Sequence, residues 1–326
     1  MKISSQKNTQ IGKWLSITIP LLLGVFLVLY SYYSFTPEQL STITKHFENA
    51  NYNYIVITLF IALLGGASRA YRWKFSLEHM GYKTSFTNNF MAVSIGYLIN
   101  MTIPRSGEIS RALIIKKYEN VPFDKAFGTI VAERIIDLIV LLFFIILAFF
   151  LQFDVVKAFV IDKIPFEKII ALVVFGIISL LIAVLLFLYS KWPIIASIKL
   201  KISGLKEGLL SIFHMKKKWQ YLFHTSFIWF SYILMFYIGI FVISETSNIG
   251  IGAVVTSFVV GSIAIAFTNS GFGSYPFLIA KILLFYNVSE TAGSAFGWII
   301  WTSQLFLVLL LGTLSFLLLP IINRKK

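Results

Sequence analysis

Long apolar runs alternate with short polar or basic stretches along nearly the whole chain. An apolar run of about 20 residues is long enough to cross a bilayer as a helix. The pattern therefore predicts an all-α polytopic membrane protein with six full spans. Their approximate bounds are 14–33, 54–73, 123–153, 169–189, 219–244 and 292–319.

A further apolar region, 86–103, contains several polar residues and is too short for a span, and a second short helix follows to about 118. Pro104 ends its first helix, because proline cannot continue a helix and disfavours the α conformation before it. Gly107 permits a turn, and Ser106 is predicted to cap a second short helix with Glu108 in its first turn. Two short helices around a break predict a re-entrant hairpin.

A second interrupted region follows at 249–286, where the break contains Asn269, Gly271 and Gly273. Glycine allows backbone conformations and close approaches that other residues do not. This region is therefore predicted to form a second re-entrant hairpin.

The order span, broken hairpin, span occurs twice, and the two copies enter the membrane from opposite sides. This order predicts an inverted repeat, with a substrate site where the interrupted segments correspond. The whole chain is then one transmembrane domain of four segments. They are an N-terminal helix and loop (1–53), a first repeat (54–153), a linking helix and basic loop (154–218) and a second repeat (219–326).

Charge distribution predicts the orientation of the spans. The chain is 58% hydrophobic and only 13% charged, with a net charge of +14, whereas a soluble domain is about 25% charged. Most Lys and Arg fall in segments predicted to be cytoplasmic, above all 191–218, which also has the spacing of a basic amphipathic helix. Segments 34–52 and 154–168 are predicted external loops. Both termini are predicted to be cytoplasmic, in a bacterial inner membrane, and no nucleic-acid partner is expected.

Several common chemistries find no support in the sequence. Cysteine is absent, and the four histidines are scattered without metal-ligand spacing. No phosphate-binding loop, dinucleotide fingerprint or hydrolase motif occurs. We therefore expect no cofactor, no metal and no enzymatic activity.

Ionisable residues predicted at membrane depth form the candidate site. Glu133 and Asp137 lie one turn apart on one helix face, with Arg134 about 100° around the helix. Arg105 and Arg111 carry the planar fork that binds phosphate. The alternative is a purely structural ion-pair network. The candidate lipid-binding residues are Asn100, Arg105, Glu108, Arg111, Glu133, Arg134 and Asp137.

Three arginine or lysine residues and five backbone positions stand outside the candidate site, and of these Lys281 has no assigned role. Arg69 and Arg72 end a span and are predicted to be interfacial anchors. Lys281 is a lone base without a visible partner. The predicted structural breaks are at Pro104, Gly107, Asn269, Gly271 and Gly273.

From about residue 50 the chain resembles the flippase-like transmembrane family typified by the membrane region of lysylphosphatidylglycerol synthase. The matching motifs are Arg69-x-x-Arg72-Trp73, Asn100 through Pro104-x-x-Gly107-Glu108-x-x-Arg111, and Glu133-Arg134-x-x-Asp137. The late P-G-G-x-G motif of that family appears as Asn269-Ser270-Gly271-Phe272-Gly273, and Pro276 replaces the acid or histidine that tends to follow it. No soluble synthase domain is expected, because the chain ends after its last span.

The resemblance implies a transporter that binds a phospholipid or a polyprenyl-phosphate-linked lipid and moves it between leaflets. Two alternatives stay open: an accessory scaffold for a lipid or cell-envelope synthase, and a membrane enzyme that uses Glu133 and Asp137 as acid and base. The sequence also leaves a homo-oligomer open.

Overall fold

The computed structural model describes residues 2–103, 106–153 and 214–324, together with the isolated residues 181, 185, 186, 189 and 192. Within these residues the fold is all-α, with ten α-helices and no strand. The helices are α1 (Lys2–Ser34), α2 (Pro37–Glu48), α3 (Tyr52–His79), α4 (Phe86–Thr102), α5 (Gly107–Glu119), α6 (Phe123–Leu151), α7 (Lys218–Gly239), α8 (Ile251–Phe267), α9 (Ser274–Leu284) and α10 (Glu290–Ile322).

Four helical segments are long and apolar enough to cross a membrane: α3, α6, α10, and α7 with the 3₁₀ turn that follows it. A fifth is possible if α1 and α2, which meet at 111°, form one broken span. These spans confirm the predicted multi-pass membrane fold. The predicted span at 169–189 and almost all of the basic loop at 191–218 lie outside the described residues.

Helix α2 lies where the sequence predicted only an external loop. Its start carries a capping box, in which the Thr36 side chain accepts from Gln39 N–H and the Gln39 side chain accepts from Thr36 N–H. Pro37 follows the cap, where its missing N–H costs nothing. The loop prediction was wrong, because the capping box and Pro37 start a helix in this polar segment.

Helices α4 and α5 form an antiparallel hairpin, with its break at the predicted place. At the closed end, Asn100 Oδ1 accepts from Gly107 N–H at 2.6 Å. At the open end, Glu119 Oε1 accepts from the Ser85 N–H and the Asn88 amide at 3.1 and 2.5 Å. Both ends of the hairpin are therefore fixed by side-chain hydrogen bonds.

Glycines let these two helices approach each other closely. A Cβ added at Gly107 would collide with the Gly96 carbonyl oxygen and lie 2.7 Å from Asn100 Cγ. A Cβ at Gly96 would lie 2.8 Å from Arg111 Cγ. The hairpin therefore requires glycine at both positions.

Helices α8 and α9 form the second antiparallel hairpin. The Thr268 and Ser274 hydroxyls hydrogen-bond across its break at 2.7 Å. Farther along, a Cβ at Gly261 would lie 2.6 Å from Tyr275 Cε2 and 3.4 Å from Ile279 Cδ1. Gly271 and Gly273 have φ of +80° and +68°, so the predicted glycine break is present.

Helices α3 and α7 run antiparallel along most of their length. Asn51 N–H donates to Val242 O at 2.9 Å at one end, and Arg72 Nη1 donates to Thr225 Oγ1 at 3.4 Å toward the other. Between them, Gly65 faces Ser231. These two predicted spans therefore cross in opposite directions.

Helix α10 packs against both hairpins. Gly297 lies against the Pro276 backbone of α9, and a Cβ there would lie 2.7 Å from Pro276 Cα. Gly312 lies against Leu98 of α4, and Asn323 exchanges two amide hydrogen bonds with Asn88 at 2.8 and 3.0 Å. The last span is therefore a common support for both broken segments.

The chain divides into two compact units. The first comprises Met1–Val131 and Trp219–Lys326, and it contains both hairpins. The second comprises Ala132–Lys218, and α6 runs from the first unit into it.

The close contact at Gly107 generates a stability prediction. We expect Gly107→Ala to lower stability by about 1–3 kcal/mol, because the added methyl has no space against α4. The matched control is Gly128→Ala in α6, where a Cβ meets nothing within 4 Å. Alanine favours a helix there, so this control should melt at the same temperature or higher. Thermal unfolding of both purified variants measures the difference, and an unchanged melting temperature for Gly107→Ala contradicts the packing described.

Candidate functional site

The break between α4 and α5 is organised by Asn100. Ile103 adopts an extended conformation, φ −127° and ψ 108°, as expected before a proline. Besides accepting from Gly107 N–H, Asn100 donates through Nδ2 to Glu108 Oε2 at 3.4 Å. Ser106 lies at the predicted cap position, but its hydroxyl donates to Ile103 O and caps nothing. The prediction of a Ser106 cap was therefore wrong, because Asn100 supplies the acceptor from the preceding helix.

Arg111 is 3% exposed and lies against a tryptophan of α3. Its guanidinium carbon is 4.2 Å from the Trp73 ring centroid, a cation–π contact. Trp73 is itself fully buried and donates through Nε1 to Thr129 Oγ1 at 2.9 Å. Since Gly96 leaves space for its stem, Arg111 is held between α4 and this fixed ring.

Arg69 and Arg72 are 4% and 0% exposed, and both point toward α7. Arg69 Nη2 donates to the Tyr232 hydroxyl at 3.0 Å. Arg72 contacts Thr225 and lies over the Tyr221 ring at 5.7 Å. The sequence predicted interfacial anchors reaching toward headgroups, whereas the structure buries both side chains in the protein. The reason is that α7 offers hydroxyl and aromatic partners along this face.

A histidine outside the predicted site, His224, lies close to Arg72. His224 Nδ1 is 2.8 Å from Ser68 Oγ, and the ring stacks on Tyr71 at 5.6 Å with planes 10° apart. An ionisable group inside an apolar span is itself a signal of function. That signal was available in the sequence of α7.

The second hairpin reaches the first through one asparagine. Asn269 Nδ2 donates to the Met101 carbonyl oxygen, in the last turn of α4, at 2.9 Å. The next residue, Ser270, accepts from Trp301 Nε1 at 2.8 Å. The two breaks therefore lie next to each other in the first unit.

The Glu133, Arg134 and Asp137 cluster lies on α6 in the second unit. Glu133 is 0% exposed and Asp137 is 9% exposed. Arg134 Nη1 lies 3.7 Å from Asp137 Oδ2, so this pair forms an ion pair within the helix. Pro104 and Arg105 lie outside the described residues, and the predicted meeting of the two clusters stays a prediction.

Lys281, which had no partner visible in the sequence, pairs with Glu290. The Lys281 Nζ lies 2.5 Å from Glu290 Oε1, in the first turn of α10. Nearby, the Ser289 hydroxyl donates to Glu245 Oε2 at 2.6 Å. These contacts favour a structural role for Lys281.

The chemistry of the three buried arginines, Arg69, Arg72 and Arg111, suits an anion. No group of three His, Asp or Glu side chains that could hold a metal ion occurs among the described residues. By contrast, three guanidinium groups lie on α5 or on the 69–73 stretch of α3. Guanidinium groups on rigid, aromatic-lined helices are suited to phosphate.

Comparison with known proteins gives a family match over most of the chain. The model of the lysylphosphatidylglycerol synthase TM region matches residues 17–312. A UPF0104 membrane protein of Methanocaldococcus jannaschii is 35% identical over 108 residues, and one of Pyrococcus horikoshii is 29% identical over 109 residues. Each alignment covers 32% of this chain and 32% of the relative, so it spans about a third of their length. No solved structure matches significantly.

The role of Asn100 generates a local prediction. We expect Asn100→Ala to speed amide hydrogen exchange at Gly107 about fivefold, because losing a helix cap costs about 1 kcal/mol. The control is Thr102→Ala, which removes a hydroxyl bond to Ile99 O within α4 but no bond across the break. Equal exchange rates in the two variants would show that Asn100 does not cap α5.

The meeting of the two breaks generates a proximity prediction. Because the chain contains no cysteine, Met101→Cys and Ser270→Cys can be combined without removing other thiols, and both leave the bond from the Asn269 amide to the carbonyl of residue 101 in place. We expect a short bifunctional maleimide to join the two cysteines within one chain, detected by mass spectrometry of the digest. Single-cysteine variants are the controls. Labelling of both cysteines without cross-linking would contradict the contact.

Proposed function

Because the chain belongs to the family of the lysylphosphatidylglycerol synthase transmembrane region, we propose that it is a lipid transporter. It binds the phosphate of an anionic phospholipid or lipid-linked phosphate and moves that lipid between leaflets. No catalysis and no cofactor are part of this proposal. The membrane is the cytoplasmic one, with both termini in the cytoplasm. Both relatives are archaeal, so a bacterial source stays a prediction.

The observation that carries this proposal is the burial of Arg69, Arg72 and Arg111. All three are at most 4% exposed in a protein that is only 13% charged. Ionisable groups inside membrane segments are costly and commonly mark substrate paths. The Trp73 stack and the Tyr232 hydroxyl fix two of these guanidinium groups in advance, which lowers the entropic cost of binding an anion.

An inverted repeat is the second part of the proposal. Helices α4 and α8 both have 17 residues, and a shift of 165 positions places Phe86 on Ile251 and Thr102 on Phe267. The same shift places Gly96, which faces α5, on Gly261, which faces α9. The antiparallel course of α3 and α7 agrees with two copies that enter from opposite sides. Two interrupted helical segments in corresponding positions are typical of transporters with an inverted repeat.

The contact between the breaks supports a path at their meeting point. In transporters with inverted repeats, substrate sites lie where the interrupted helices correspond. Here Asn269 joins those two positions. Since no nucleotide-binding motif occurs in the sequence, movement is either downhill or coupled to ions or to the membrane potential.

Lipid movement by Arg111 variants tests the proposal. The purified protein is reconstituted with tail-labelled fluorescent phosphatidylglycerol, and dithionite bleaching reports exchange between leaflets. We expect Arg111→Ala to slow exchange about ten- to a hundredfold, since a hydrogen bond to a charged group contributes about 1.5–3 kcal/mol. Arg111→Lys should be intermediate, because it keeps the charge but loses the planar fork.

The matched control is Lys116→Ala, which removes an exposed cation from the same helix. It should move lipid at the wild-type rate. A folded Arg111→Ala that also moves lipid at that rate rules out the phosphate role. Wild-type protein that moves no lipid but copurifies with a synthase favours the scaffold alternative.

A further inference from the structure

The His224 imidazole occupies an unusual position on α7. It lies within a segment apolar enough to cross a membrane, at the contact with α3. Aromatic rings surround it, since Phe75 and Phe223 lie 5.6 and 5.4 Å away in addition to stacked Tyr71. The other three histidines, His46, His79 and His214, lie in or beside loops or near helix ends.

The Ser68 hydroxyl can form a hydrogen bond with the His224 ring in either protonation state of the ring. When His224 is neutral with its proton on Nε2, the Ser68 hydroxyl donates to Nδ1 at 2.8 Å. When His224 is protonated, Nδ1–H donates to Ser68 Oγ, and the hydroxyl can donate to His224 O at 3.4 Å. A hydroxyl is both donor and acceptor, so proton uptake costs no hydrogen bond here.

The charged group that acts on His224 is the Arg72 guanidinium. From α3, Arg72 contacts Thr225, the residue next to the histidine, and Arg69 lies one turn earlier. The phenols of Tyr71 on α3 and Tyr221 on α7 are the neutral titratable groups. Helix α4 contributes only an aromatic ring, Phe86, which stacks on Tyr71.

This arrangement connects proton binding to anion binding. A proton on His224 adds positive charge beside Arg72, and like charges disfavour it. An anionic headgroup held by Arg69 and Arg72 offsets that repulsion. Linkage between two ligands is reciprocal, so each must strengthen the binding of the other by the same factor.

We infer that His224 is a proton-binding site coupled to anionic lipid: lipid binding favours proton uptake, and the proton strengthens lipid binding. This inference rests on the anion-binding part of the proposed function and does not require lipid movement.

Lipid affinity as a function of pH tests the coupling. Binding of short-chain phosphatidylglycerol to the detergent-purified protein is measured at about pH 5 and about pH 8. The lower value lies well below the ordinary histidine pKa of about 6.5, because the Arg72 charge opposes protonation. We expect wild type to bind at least about fivefold more tightly at the lower pH. His224→Gln should bind equally at both. The control His79→Gln, at the exposed end of α3, should keep the wild-type pH dependence.

Nuclear magnetic resonance of the imidazole gives a readout that needs no substitution of His224. In a variant with His46, His79 and His214 replaced by Gln, the histidine signal belongs to His224 alone. We expect phosphatidylglycerol, but not zwitterionic phosphatidylcholine, to move its titration midpoint to higher pH.

The outcomes separate this inference from the proposed function. An unmoved midpoint, or equal pH dependence in wild type and His224→Gln, overturns the inference even if vesicles show lipid exchange. A moved midpoint without lipid exchange keeps the inference and overturns transport. Ser68→Ala is a second variant, expected to weaken the coupling while leaving phosphatidylglycerol affinity at about pH 8 unchanged.

Discussion

A helix that stops inside an apolar bundle leaves backbone N–H and C=O groups without helical partners, and each unsatisfied group in lipid costs several kcal/mol. The first hairpin meets this constraint with Asn100, whose amide accepts from the first N–H of α5 and donates to its first carboxylate. At the other side of this break, Asn269 donates to the Met101 carbonyl oxygen in the last turn of α4. The two asparagine amides therefore satisfy both helix ends at the first break, and Asn269 also holds the second break against it.

The 69–73 stretch of α3 depends on this hairpin. Trp73 packs in the apolar cluster beneath α4, α5 and the start of α6, so its ring is fixed. Arg111 can stack on that ring only because Gly96 leaves space for its stem. The opposite side of the stretch contacts α7 through Arg69 and Arg72, and Ser68, just before it, contacts His224. The 69–73 stretch therefore directs Arg69 and Arg72 toward α7 and offers the Trp73 ring to Arg111 on its other side.

Hydropathy and proline or glycine placement were enough to predict the helices of the described region, apart from α2. Their failure at Ser106 has a spatial cause, because the acceptor that replaces it is six residues away in sequence and becomes adjacent only in the folded hairpin. The partners of Arg69 and Arg72 were also hidden, since they lie more than 150 positions along the chain. Lys281 found its partner nine residues away, across a turn. Local patterns predict elements, whereas side-chain partners depend on packing.

The glycines of α10 have a mechanical consequence. Gly293 and Gly297 meet the backbone of α9, so at these two positions no side chain of α10 stands between the helices. Helices that meet through smooth surfaces can shift along their axes without changing rotamers, which is the geometry of shear motion. Because Asn323 joins α10 to Asn88 of α4, α10 and the first hairpin would move together, and sliding would take place at the glycine contacts with α9.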